Sequence, residues 1–151
     1  MVGSTIEIDL AALRYNFSKV RELVKHSTAV LGVVKSDAYG HGMVPVAREL
    51  VSLGVEYLGV STCREGVTLR QGGVRSSILL LLGAEEDELA QVIQHRLTPT
   101  IFRSDVAKAV AAAALGAGTA TRRTHHPAGT QSARGAESLG NGPGAGLWAV
   151  A

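Results

Sequence analysis

The chain has 151 residues, 46% hydrophobic and 19% charged, with a formal net charge of +2. This is the composition of a globular protein with one sizeable core. It excludes a disordered chain, and so small a charge gives no case for nucleic acid or an acidic membrane surface as partner.

The lone cysteine, Cys63, excludes an internal disulfide and fits a reducing, cytoplasmic setting. No apolar run is long enough to span a bilayer, and the first residues lack the basic-then-apolar order of a signal peptide. In chain order, Asp9 reads as an N-cap. Leu10, Leu13, Phe17, Val20, Leu23 and Val24 follow at helical spacing. Residues 29–34 read as a buried strand, Met43 to Leu53 as a helix stopped by Gly54, and Tyr57 to Ser61 as a second strand. Thr62 and Glu65 have capping-box spacing for a helix that ends at Gly72-Gly73. Ile78 to Leu82 reads as an apolar strand buried on both faces. The acidic run from Glu85 to Glu88 opens a helix closing near His95 and Arg96, with charges that complement its dipole. Thr100 to Phe102 is a short strand, and Ser104 or Asp105 caps a helix through about Leu115. Strand and helix alternate throughout, which implies an α/β fold with parallel strands and helical crossovers.

Near Leu115 this pattern stops. Residues 116–151 are rich in glycine, lack lysine and hold one carboxylate, Glu137. They carry too little apolar surface to offset chain entropy, so a disordered tail is expected there. His125 and His126 are adjacent and would make a poor metal site, and no Cys/His spacing reads as a zinc site.

The chemistry lies at the end of the first strand. Lys35 follows a buried strand, and ligands of parallel α/β folds bind outside the carboxyl ends of strands. A lysine withdrawn from water gives up its proton more readily, and the neutral amine is the form that attacks a carbonyl. Gly40 and Gly42 allow close backbone approach to a ligand, and the Tyr39 phenol could bind a phosphate oxygen. From residue type alone a plainer account stays open. Lys35 could carry its amine out to solvent, Tyr39 could be a loop aromatic, the glycines ordinary turn residues and His41 a structural histidine. Cys63, at a helix start, is read as a buried, inert thiol or as one activated by the dipole.

The run from Val33 to Gly42 resembles the pyridoxal-phosphate attachment signature of alanine racemases, Val-x-Lys-Ala-Asp/Asn-Ala-Tyr-Gly-His-Gly. Ser36 stands in place of the usual alanine. The flanks agree. Glu7-Ile8-Asp9-Leu10 with Asn16 resembles the family's opening strand and first helix. Ser61 to Arg70, Ile78 to Ala84 and Thr98 to Asp105 resemble later strand–helix turns. The likeness runs from about Thr5 to about Leu115, roughly the first third of a full racemase.

It implies the N-terminal portion of a (β/α)8 TIM-type barrel over residues 1–115, incomplete, with residues 116–151 a separate tail. It implies pyridoxal 5'-phosphate as cofactor, bound covalently by Lys35, with Tyr39 on its phosphate and Leu82 against it. Lys35 would also be one of two acid–base groups moving the α-proton of L- and D-alanine, for peptidoglycan precursors, in a homodimer. After Leu115 the family's His-x-Lys-x-Asp-Thr-Gly-Met-x-Arg-x-Gly run is expected, and Gly116 to Arg123 stand there instead. A full barrel typically takes about 250 residues. The expectation is therefore a truncated or frameshifted product of doubtful activity. The alternative is an inactive fragment or a cofactor-binding barrel protein without racemase activity. Reading the other two frames past codon 115 tests the frameshift.

Overall fold

The computed structural model describes residues 5–25, 27–117, 124–125 and 147–150. Helix α1 (Leu10–Leu23) starts where Asp9 Oδ1 accepts the N–H groups of Ala11 at 2.7 Å and Ala12 at 3.2 Å. There follow β1 (Ala29–Val33), a short helical turn α2 (Lys35–Tyr39), α3 (Met43–Ser52), β2 (Tyr57–Val60), α4 (Cys63–Gln71) and β3 (Ser77–Leu80). A 3-10 turn (Glu86–Glu88), α5 (Leu89–Gln94), β4 (Thr98–Ile101) and α6 (Ser104–Gly116) complete the alternation. Strands β5 (Thr124–His125) and β6 (Leu147–Val150) join the two edges.

All pairings are parallel, and the order across the sheet is β5-β4-β3-β2-β1-β6. Successive strands β1 to β4 therefore lie side by side without a reversal. Side chains alternate across a strand, and here the two faces differ. Val30, Val34, Leu58, Val60, Ile78 and Leu80 meet the helices, packing with Phe17, Ala47, Leu50, Leu69 and Val92. The opposite face holds Leu31 and Leu79 with Ala29, Val33, Tyr57 and Leu81, and no described helix joins that cluster. Leu31 and Leu81 close over Gly59, where an added Cβ would stand 3.5 Å and 3.4 Å from their methyl groups. A doubly wound sheet carries helices on both faces. Consecutive order with helices on one face is the arrangement of a barrel wall, whose inner face is filled by strand side chains.

Three helices pass into the next strand in the same way. At the ends of α3, α4 and α5, the residues Gly54, Gly73 and Arg96 take positive φ of 89°, 81° and 50°. Val55, Val74 and Leu97 then donate N–H to the carbonyls of Leu50, Leu69 and Val92 at 3.0, 3.0 and 2.9 Å. Each is a Schellman closure, and each of those apolar residues is buried.

Some boundaries differ from expectation. The third strand begins and ends earlier than Ile78 to Leu82, because the chain turns at Gly83 (φ 83°). The fourth is Thr98–Ile101, so it starts two residues earlier than expected, takes in Pro99 and ends before Phe102. The acidic run forms a 3-10 turn before α5 begins, rather than one continuous helix. At α6 neither Ser104 nor Asp105 caps. Arg103 holds the N-cap position without a side-chain bond, and the Asp105 carboxylate is paired with Arg103. Residues 5–9 form no strand, and Ile6 is exposed. Within the expected tail, β5 and β6 are described, and residues 118–123, 126–146 and 151, with His126, lie outside the described residues.

The amino-terminal edge of the sheet is tied by charge. Arg21 on α1 donates to the carbonyls of Thr28 at 2.9 Å and Gly54 at 3.0 Å, and to the Glu56 carboxylate at 2.8 Å. Glu56 Oε2 also accepts the Val30 N–H at 2.8 Å, extending the β1–β2 ladder by one rung. Burial pushes the Glu56 carboxyl up, but the Val30 N–H and Arg21 outweigh it and hold it below the usual carboxylate range. A folded-state pKa that is depressed contributes stability above the unfolded value and loses it as pH falls through the folded value. Glu56→Gln is therefore expected to be destabilising near neutrality, with the gap to the parent closing in acid below the ordinary carboxylate range. Thermal melts across a pH series check this; a gap that widens in acid would refute it.

Candidate active site

Every strand of a parallel sheet ends on the same edge, so residues following β1, β2, β3 and β4 share one rim. After β1 the Val34 N–H still donates to the Gly59 carbonyl at 2.9 Å. Lys35 is the first residue free of the ladder. It is half-buried, and among the described residues it makes no ion pair.

The four residues after Lys35 turn the wrong way for L-amino acids. Ser36, Asp37, Ala38 and Tyr39 have φ of 51°, 55°, 52° and 56°. This is one turn of left-handed helix, at roughly 1–2 kcal/mol per residue. Strain of this kind persists only where the surroundings over-determine it, and it gathers at functional sites.

Here the restraints are visible. The Ala38 N–H donates to the Val34 carbonyl at 3.0 Å, and Gly42 to Asp37 at 2.9 Å. The Ala38 side chain is buried in the helix-side core. Asp37 Oδ1 accepts the Met43 N–H at 2.7 Å, supplying α3 with the cap that its own N-cap residue, Gly42, cannot. Glu65 Oε1 accepts the Ser36 N–H at 2.7 Å from across the rim. Gly40 and Gly42, both at φ 86°, return the chain to α3.

The other expected site residues stand on the same rim. Tyr39 closes the left-handed turn and is 48% exposed; Leu82, two residues past β3, is 71% exposed. Strand β2 lies between β1 and β3, so the Lys35 and Leu82 chain segments are two strand spacings apart, about 10 Å. His41 Nδ1 donates to the Ala38 carbonyl at 2.8 Å, which makes it a brace of the turn. Cys63 is buried, and burial, then Glu88, pushes its thiol up; this is the inert thiol, not the activated one. Sequence reasoning missed two functional restraints, Asp37 and the second oxygen of Glu65. The Thr62/Glu65 capping box was legible, but not that Glu65 reaches back to Ser36.

An amine with no ion pair among the described residues, an exposed phenol four residues on and an exposed leucine on the same rim would fit a flat aldehyde cofactor with an anionic tail. Lys35 would hold its aldehyde carbon, Tyr39 its phosphate and Leu82 its ring.

Fold and rim together define a barrel-type parallel α/β protein that presents a lysine on a left-handed turn. The family model described as "Alanine racemase, N-terminal domain" matches residues 8–125. The chain belongs to the alanine racemase family. It is 53% identical over 108 residues to the alanine racemase of Syntrophobacter fumaroxidans, covering 72% of this chain and 29% of that protein. It is 40% identical over 111 residues to that of Methylacidiphilum infernorum, covering 74% and 29%. Among solved structures, alanine racemase of Clostridium difficile 630 superposes with a TM-score of 0.75 at 33% identity, over 77% of this chain and 31% of that one. The chain thus spans about 30% of the length of the curated relatives it matches. No described helix is long and apolar enough to cross a membrane.

Proposed function

We propose that this chain supplies the lysine-bearing, cofactor-binding part of an alanine racemase. Residues 1–115 carry that part, and of residues 116–151 the short strands β5 and β6 pair along the two edges of its sheet. The observation that carries the reading is the Lys35 amine, without an ion pair among the described residues, at the start of the left-handed turn on the carboxyl rim. Lys35 would hold pyridoxal 5'-phosphate through its amine, with the Tyr39 phenol toward its phosphate and Leu82 toward its ring.

When bound, the cofactor supplies the sink for electrons left at the α-carbon once its proton departs. Lys35 Nζ is the group that takes or returns that proton on one face, the face used by D-alanine. A base of the partner chain in a homodimer serves the other. The setting is the cytoplasm, and the products L- and D-alanine serve peptidoglycan precursors.

The experiment incubates the 151-residue chain with pyridoxal phosphate, traps with borohydride and maps the adduct by peptide mass. A parallel assay follows D-alanine by polarimetry. An adduct at Lys35 supports the cofactor site. Racemisation supports the enzyme, and an adduct without racemisation leaves a binder. No adduct at Lys35 sinks the reading.

A further inference from the structure

Glu65 sits in the first turn of α4, yet its carboxylate serves two chain segments. Oε2 accepts the N–H groups of Ser61 at 2.7 Å and Thr62 at 3.1 Å, while Thr62 Oγ1 accepts the Glu65 N–H at 3.3 Å. That is a capping box, local to α4. Oε1 does something unrelated to α4: it accepts the Ser36 N–H at 2.7 Å, from a residue 29 positions earlier.

A capping box works with glutamine as well as glutamate, because it needs a single acceptor oxygen. The second acceptor is needed only by Ser36. Ser36 is the first residue of the left-handed turn (φ 51°) and the residue bonded to Lys35. No other described side chain holds its N–H, whereas Asp37 and Ala38 anchor the far end of the turn.

We infer that Glu65 is a positioning residue for Lys35: its second oxygen pins Ser36 in the left-handed conformation and so fixes the direction from which the Lys35 amine meets an aldehyde. This rests on the reading of Lys35 as the cofactor lysine. The bond is exposed to water, and the charge on its acceptor strengthens it. Its effect falls on orientation and leaves the chemistry of the amine to Lys35 itself.

Glu65→Gln separates the two tasks in the full chain. Its one amide oxygen can serve the cap, and its amide nitrogen, a donor, then faces the Ser36 N–H. The expected result is a melting temperature close to the parent's, with amide exchange at Ser36 about tenfold faster and exchange at Gly66 unchanged. Borohydride trapping of pyridoxal phosphate at Lys35, at subsaturating cofactor, should slow by a similar factor, while surface labelling of Lys19, Lys25 and Lys108 stays level. Glu65→Ala removes both tasks and should lower the melting temperature as well.

Parental exchange at Ser36 in the glutamine variant overturns the pin, and parental trapping with fast exchange overturns its role in presenting Lys35. Should the parent itself form no adduct at Lys35, the cofactor reading fails and with it the presentation role, while the exchange comparison still decides whether Glu65 holds the turn.

Discussion

Lys35→Ala is expected to abolish covalent attachment of pyridoxal phosphate and to leave the fold in place. The chain has four lysines, Lys19, Lys25, Lys35 and Lys108, so the position of the trapped adduct is decisive. Lys19 pairs with Glu22 at 2.9 Å on the exposed side of α1, and Lys108 lies on α6; neither is on the rim. Lys35 alone follows a strand's carboxyl end. Its backbone conformation is set by the Val34 and Ser36 hydrogen bonds, which alanine keeps. Its side chain makes no ion pair among the described residues, so truncation should change stability by no more than about 0.5 kcal/mol. Lys35→Arg should fail equally, because a guanidinium keeps its proton and cannot attack an aldehyde. Thermal melts and peptide mapping after borohydride check both variants. An adduct that survives at full yield in Lys35→Ala would move the cofactor site elsewhere.

What the sequence made legible were the local rules. Asp9 capping α1, the Thr62/Glu65 box, and Gly54 and Gly73 closing their helices all depend on residues within five positions of one another. Strand–helix alternation gave parallel strands with helical crossovers, while the barrel was implied only by the family resemblance, because the strand order that separates a barrel wall from a doubly wound sheet is not written in the alternation.

The left-handed turn was not legible. Ser, Asp, Ala and Tyr have no shared preference for positive φ, and glycine comes only afterwards. The conformation is imposed by Glu65, by Ala38 buried in the core, and by Asp37 reaching Met43. Here tertiary contacts override local propensity. The resemblance located the lysine without that geometry, since the motif names the residues and says nothing of the backbone. The edge pairings of β5 and β6 escaped for another reason. Their registers, such as Ala29↔Leu147 and Thr100↔Thr124, pair expected strands with segments of the glycine-rich stretch where no strand was expected.

Arg70→Ala is the substitution expected to cost most in stability, about 3 kcal/mol. Arg70 stands in the last turn of α4, at the edge of the sheet opposite Lys35, where barrel residues serve stability. Its guanidinium donates to four carbonyls: Nε to His95 at 2.8 Å, Nη1 to Val74 at 2.9 Å and Ser76 at 2.8 Å, and Nη2 to Arg96 at 3.0 Å. Two of these carbonyls lead into β3, and two belong to the closure of α5. That closure is the one whose left-handed residue, Arg96, is not a glycine. Arg70 thus secures the turn that has the least intrinsic preference for its own shape. Burial, with Arg75 and Arg96 nearby, lowers its pKa from the ordinary guanidinium value, yet it stays charged at any physiological pH. Removing it strands four acceptors and frees Leu97 and Val74, both buried, to shift. Arg70→Lys should recover little, because one ammonium nitrogen cannot span three donor directions. Urea unfolding of the parent and the two variants checks the order. A lysine variant as stable as the parent would mean that charge alone, and not the fork reaching both chain segments, holds this edge together.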